Sequence, residues 1–322
     1  MKKILGMTLL LVALCIVINL VNSRFTSTVN LQNLSRQIAL LAIFAIGEGI
    51  VILSGGIDLS VGSVIAFTGL FVAYAVNNFG MSPWAASGIV LGICVVIGLA
   101  HGALITKVKL QPFIATLCSM LILRGLSRGL TQDETMGFGD KFVSFRRLGD
   151  GDWFGVPAPV VILVVIAIIA HFFMRYTVYG RYLYAIGRNP DAARYSGVKV
   201  DRMQTGAYLA CALLSGVAGI LYASYTNSVQ PATTGQAYEL YAIAAAVLGG
   251  CSMRGGEGTV LGIIVGASIM RVMYNGIILV GIKTFYEFAV IGLVILIGVV
   301  ADASVKRRSA RVSKLAKQAA GT

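Results

Sequence analysis

Ten long apolar runs, divided by short polar stretches, set the architecture of this chain. They cover 4–21, 35–53, 59–77, 84–106, 112–130, 157–174, 204–225, 239–252, 258–280 and 284–301. A helix needs about 20 apolar residues to cross a bilayer, so most of these runs are long enough. The run 239–252 is too short to cross comfortably and reads as tilted or re-entrant. The second and third runs are divided only by Ser54-Gly55-Gly56-Ile57-Asp58, a break rather than a loop. A β-barrel would show alternating strands of about ten residues, and the sequence has none. Only 12% of residues are charged and 57% are apolar, against about a quarter charged in soluble chains. Mean hydropathy is +0.84. A soluble enzyme, a disordered chain and a nucleic-acid binder are thereby excluded, although the net charge is +13.

The expected fold is an all-α integral membrane protein with about ten transmembrane helices, some of them broken or re-entrant. Lys and Arg concentrate on the segments that lie inside when both termini are cytoplasmic, which sets that orientation. One transmembrane domain, 1–303, then carries a cytoplasmic segment at 175–203 and a periplasmic loop at 131–156. Both segments are candidates for protein contact, with a plain solvated loop as the alternative. A basic cytoplasmic tail, 304–322, serves as a topology signal or faces the lipid bilayer; nucleic acid is not needed to explain it. Lys2, Lys3 and Ile4–Leu20 read as an uncleaved first helix, because no clear cleavage site follows.

Nothing in the sequence points to covalent chemistry. There is no GxxxxGK[ST] and no HExxH. His101 and His171 sit near span ends without a metal-like partner. Cys15, Cys94, Cys118, Cys211 and Cys251 lie in or beside apolar runs and form no CxxC pair, so they read as small apolar fillers. No catalytic residue, metal site or cofactor is expected.

Three features invite a functional reading. The first is a short helix at 190–196. Asn189 can cap its first turn, Pro190 suits the first helical position, Asp191 complements the positive helix end, and Gly197 can adopt the left-handed conformation that ends it. Ala192 and Ala193 give it a low-profile surface. So short a helix needs packing to persist, either on its own membrane helices or on another protein. The second feature is a pair of glycine breaks, Gly55-Gly56-Ile57-Asp58-Leu59-Ser60 and Gly249-Gly250 through Gly258. Asp58 and Ser60 can cap the helix that follows the first. Each break is either a tight turn or unwound backbone beside a transport path. The third is charge inside the membrane, at Glu48 and Arg271. By helical rise, Glu48 lies about 8 Å from the inner end of its span and Arg271 about 20 Å. A direct pair would require extended side chains or a tilted helix; otherwise Glu48 is protonated or snorkels inward.

Ser54-Gly-Gly-Ile-Asp-Leu-Ser-Val-Gly-Ser63 resembles the hallmark of ribose-type permeases. These are membrane subunits of ATP-binding-cassette importers for simple sugars, distantly related to branched-chain amino-acid permeases. Further matches follow in order: Gln111-Pro-Phe-Ile-Ala-Thr-Leu117, Leu123-Arg-Gly125, Gly180 to Asn189 leading to Ser196-Gly-Val198, Gln230-Pro231 with Tyr238 to Gly250, and Asn275-Gly276. The likeness spans roughly 35–300. It implies a translocation path for a monosaccharide, delivered by a periplasmic sugar-binding protein. It also implies a second permease subunit, two cytoplasmic ATPase domains that hydrolyse the ATP, and a place in the bacterial inner membrane. By the resemblance, Gly187, Asn189, Pro190, Asp191, Ala192, Ala193 and Gly197 couple to the ATPase. Gly55, Gly56, Asp58, Ser60, Glu239, Gly249, Gly250 and Asn275 become candidates for the path or its gate. The sequence departs from the pattern at Glu48-Gly49, where such permeases carry an apolar residue and Thr, and near Ile291, where they carry a basic residue. An ion-coupled secondary transporter using Glu48 and Asp58 is the competing expectation.

Overall fold

The computed structural model describes residues 2–139 and 142–281, with single positions at 286, 289, 292, 293 and 296. Helix α1, Lys2–Val21, is followed by a short 3-10 turn, Ser23–Thr26, and by α2, Thr28–Leu53. Then come α3, Val61–Phe79, α4, Pro83–Thr106, and α5, Pro112–Thr131. A compact connector holds a single-turn helix α6, Val143–Arg146, and a hairpin of β1, Asp152–Trp153, with β2, Val156–Pro157. The chain continues through α7, Ala158–Tyr176, α8, Val178–Arg188, α9, Pro190–Tyr195, and α10, Val200–Thr226. The last two are α11, Tyr238–Leu248, and α12, Val260–Val280. Eight of these helices are long and apolar enough to cross a membrane, and α11 is the short apolar exception. The expected run 284–301, Ile291 and the tail 304–322 fall outside the fully described residues.

Helix α2 is the axis. It packs against α7, α10, α11 and α12, and most of its length is buried. A helix apolar all round belongs in such an interior. Glycines let backbones touch: a Cβ on Gly98 would meet the Leu209 backbone of α10, and one on Gly219 would meet Ile65 of α3. Gly249, Gly262 and Gly266 do the same between α11 and α12. By contrast α1 is almost entirely exposed within the single chain.

The bundle has two ends. One carries α8 and α9 and is called here the α9 end. The other carries the connector and is called the hairpin end. The connector is ordered by its own aromatic core. Phe145 is buried between Trp84 and Phe138, and Asp152 forms an ion pair with Arg36 of α2 at 2.7 Å. Phe138, Phe145 and Asp152 thus tie this connector to the bundle, while Val143 and Phe154 stay exposed.

Candidate functional site

The structure ties α8, which carries α9, to both glycine breaks. Asn189 caps α9 by accepting a hydrogen bond from the Ala192 amide at 2.9 Å, and Gly197 ends the turn with φ +82°. The helix thus has the expected caps but not the expected surface. Ala193 is buried against Ile186 and Val200, while Ala192 points outward. The outer surface is instead dominated by Tyr195, 93% exposed. Preceding it, α8 was missed by sequence reasoning, which read 175–203 as one cytoplasmic stretch although Gly180, Leu183 and Ile186 fall on a single buried face. Thr177 caps it at Gly180. Its tyrosines reach back into the bundle: Tyr179 donates to the Met203 carbonyl at 2.8 Å and Tyr184 to the Gly258 carbonyl at 2.9 Å. Burial pushes the Tyr179 hydroxyl up to about 12, so it remains a donor at any ordinary pH.

Gly187 sits where the two breaks meet. The Gly256 amide donates to the Leu53 carbonyl at 3.0 Å, joining the second break to the end of α2. Any Cβ on Gly187 would collide with both of those groups. One residue without a side chain therefore lets α8 lie directly on the backbone of both breaks.

The first break does not simply turn at the bundle end. Gly55, with φ +84°, is the exposed apex. From there the chain climbs back to the level of Glu48, about 8 Å into the helix layer, before α3 starts. Asp58, Ser60 and Glu48 are all buried, Glu48 completely. Irregular backbone at such depth must find internal partners. Glu48 supplies one, its Oε1 accepting from the Asp58 amide at 3.2 Å. The Tyr208 hydroxyl approaches the Ile57 carbonyl at 3.5 Å. Asp58 Oδ1 accepts from both the Ser60 amide (2.9 Å) and the Ser60 hydroxyl (2.7 Å). Asp58 therefore braces Ser60 just before α3 and does not cap the helix's own first-turn amides; the N-cap Ser60 makes no side-chain cap bond either. Its second oxygen lies 3.7 Å from His101 Nδ1. His101, 2% exposed, was dismissed in the sequence as a span-end residue, and only the packing of α4 on α3 reveals its neighbour.

Glu48 and Arg271 do not pair. Glu48 belongs to the break, with Cys211 on its other oxygen at 3.9 Å. Arg271 lies further towards the hairpin end, in a cavity of about 210 Å³ between α2, α10, α11 and α12. The cavity wall is aromatic and polar: Gln37, Phe44, Tyr222, Tyr225, Tyr238 and Tyr274 line it with Arg271. Tyr238 is its hub. It stacks on Phe44 at 5.6 Å, meets Tyr222 edge-on at 6.2 Å and lies 5.8 Å below the Arg271 guanidinium. The tyrosines escaped sequence reasoning because Tyr in a membrane protein is equally at home at the bilayer surface. The spacing of Tyr222 and Tyr225, and of Arg271 and Tyr274, three apart on single helix faces, was the available signal.

Of the remaining candidates, Glu239 sits on the first turn of α11 beside Gly62 at the start of α3, with Arg124 as its charged neighbour. Arg124 also donates to the Pro231 and Thr234 carbonyls. Gly249 and Gly250 form the end of α11, Gly250 with φ +90°. Asn275 is engaged elsewhere, in a reciprocal amide pair with Asn30 that joins α12 to α2.

Residues 30–299 match the family described as "Branched-chain amino acid transport system / permease component". The chain belongs to this family. Among curated relatives of this permease, the ribose import permease protein of Bacillus subtilis is 41% identical over 301 residues, 92% of each chain. The ribose import permease protein of Escherichia coli K12 is 39% identical, over 91% of this chain and 92% of the relative. The L-arabinose transport system permease protein of the same strain is 36% identical, over 92% and 89%. No solved structure matches. The permease is a multi-pass inner-membrane protein and a transport component rather than an enzyme.

Proposed function

We propose that this permease forms the translocation path of an ATP-driven monosaccharide importer. In this reading it works with a second permease subunit, two cytoplasmic ATPase domains and a periplasmic sugar-binding protein. The α9 end and both termini face the cytoplasm, and the hairpin end faces the periplasm. The observation that carries the reading is the contact of α8 at Gly187 with both breaks. An ATPase that grips α9 moves α8, and α8 cannot move without displacing the Leu53 and Gly256 backbones. Those breaks anchor α2 and α12, and α3 begins just beyond the first of them. The cavity lies between the same set of helices. Its size, below the roughly 300–1,000 Å³ of drug-sized sites, suits one small solute. Aromatic faces with hydroxyl and amide donors suit a sugar, which is apolar on its C–H faces and polar at its edges. Solute then shifts the equilibrium between outward and inward states only by its differential affinity for the two.

The competing ion-coupled reading would make Glu48 and Asp58 carriers. One oxygen of each is instead committed, Glu48 Oε1 to the Asp58 amide and Asp58 Oδ1 to Ser60, and both residues are buried.

Crosslinking tests the coupling. Cysteines at Asp191, Ala192 or Tyr195 should crosslink to a co-expressed ATPase, and the purified permease alone should hydrolyse no ATP. Crosslinks confined to the permease would reject the reading. The two alanines should also separate. Ala193→Leu overpacks a buried contact and should destabilise the α8–α9 hairpin by about 1–3 kcal/mol, lowering the amount of folded protein. Ala192→Leu and Tyr195→Ala should leave folding intact and lose ATPase binding, measured by co-purification.

A further inference from the structure

The translocation cavity holds one cation and no acid among the described residues that line it. Arg271 stands about 16 Å along α12 from Val260, near the middle of the span. Its Nε is buried without a hydrogen-bond partner, and among the described residues no carboxylate forms an ion pair with it. Glu239, the acid on the neighbouring helix, lies beside Gly62 and has Arg124 as its charged neighbour. The other polar lining groups are the neutral side chains of Gln37, Tyr222, Tyr225, Thr226, Tyr238 and Tyr274.

A charge at this depth is costly and marks function by default. Stacking over Tyr238 offsets part of that cost and leaves the planar donor fork of the guanidinium open to the cavity. Tyr238 is in turn held by Phe44 and Tyr222, so the cation is pre-positioned. A neutral sugar that displaced the cavity's water would leave the positive charge uncompensated. A carboxylate would compensate it with two parallel hydrogen bonds.

We infer that the solute is a monosaccharide carrying a carboxylate, an aldonic or uronic acid, held by Arg271 at its carboxylate and by the tyrosines at its hydroxyls. This rests on the reading of the chain as a sugar permease. A single guanidinium matches a single negative charge, whereas a sugar phosphate brings about −1.5 to −2 with no second described cation on the cavity wall.

The test uses the purified permease in lipid nanodiscs and its thermal midpoint, which a bound ligand raises. The probes are D-gluconate, D-galacturonate, D-ribose, L-arabinose and D-ribose 5-phosphate. At least one acid should raise the midpoint while the neutral sugars leave it unchanged. Arg271→Gln should abolish the shift, and Arg271→Lys, which keeps the charge but loses the fork, should retain only part of it. In cells making the whole transporter, uptake of that labelled acid should fall at least tenfold in Arg271→Gln. If Arg271→Gln fails to fold, the wild-type ranking of the five probes and the Arg271→Lys response decide. No shift with either acid, an equal shift in Arg271→Gln, or a larger shift with the phosphate overturns the inference. ATP-dependent uptake of a neutral sugar that survives Arg271→Gln also overturns it, yet leaves the permease reading standing. Absence of partner-dependent uptake of any sugar removes that reading, and the inference with it.

Discussion

Gly187→Ala should cut transport about tenfold or more while the protein still reaches the membrane. The added Cβ meets no flexible side chain that could yield. It meets the Leu53 carbonyl oxygen and the Gly256 amide, which are bonded to each other at 3.0 Å. Either that bond opens or α8 lifts off both breaks. Overpacking of this kind costs about 1–3 kcal/mol. A bias of about 1.4 kcal/mol already changes an equilibrium tenfold. Uptake should therefore drop by about tenfold or more, with ATP hydrolysis by the assembled complex retained but no longer stimulated by solute. The measurement is labelled uptake beside ATPase activity at matched membrane levels. Near-normal uptake would mean that α8 and the breaks move independently.

The second large effect is expected at Glu48. Glu48→Leu removes the acceptor of the Asp58 amide inside a fully buried site. A buried donor left unmade costs about 1–3 kcal/mol, and the loss falls on the segment that positions the start of α3. Thermal unfolding in detergent should show it as a lower midpoint, with transport lost. Glu48→Gln keeps a side-chain oxygen in place and should stay close to wild type in both measurements. This pair of variants separates the two transport mechanisms. A carrier carboxylate is disabled by Gln as thoroughly as by Leu, whereas an acceptor that closes the backbone is disabled by Leu alone. Loss of uptake in a stable Glu48→Gln protein would revive ion coupling.

The spans were legible in the sequence because a bilayer imposes a local rule. Each crossing helix must satisfy its own backbone and present about 20 apolar residues, and both demands are written along one segment. The ends of α4 and α5 at Pro83 and Pro112, the shortness of α11 and the caps of α9 at Asn189 and Gly197 are local in the same sense. So are the two glycine breaks. The partners of the buried polar groups were not legible, because they come from segments far apart in the chain. Glu48 and Arg271 looked like a pair on charge alone. Tertiary packing gave Glu48 to the amide of Asp58 and set Arg271 over Tyr238. His101 reached Asp58 only because α4 lies against α3. Ala192 and Ala193 are indistinguishable by composition and propensity. Which one is buried depends on where Ile186 and Val200 arrive. Periodicity and capping thus determined the elements. The pairing of charges, the tyrosine-lined cavity and the seat of Gly187 between two breaks were decided by contacts across the bundle, which no single segment encodes.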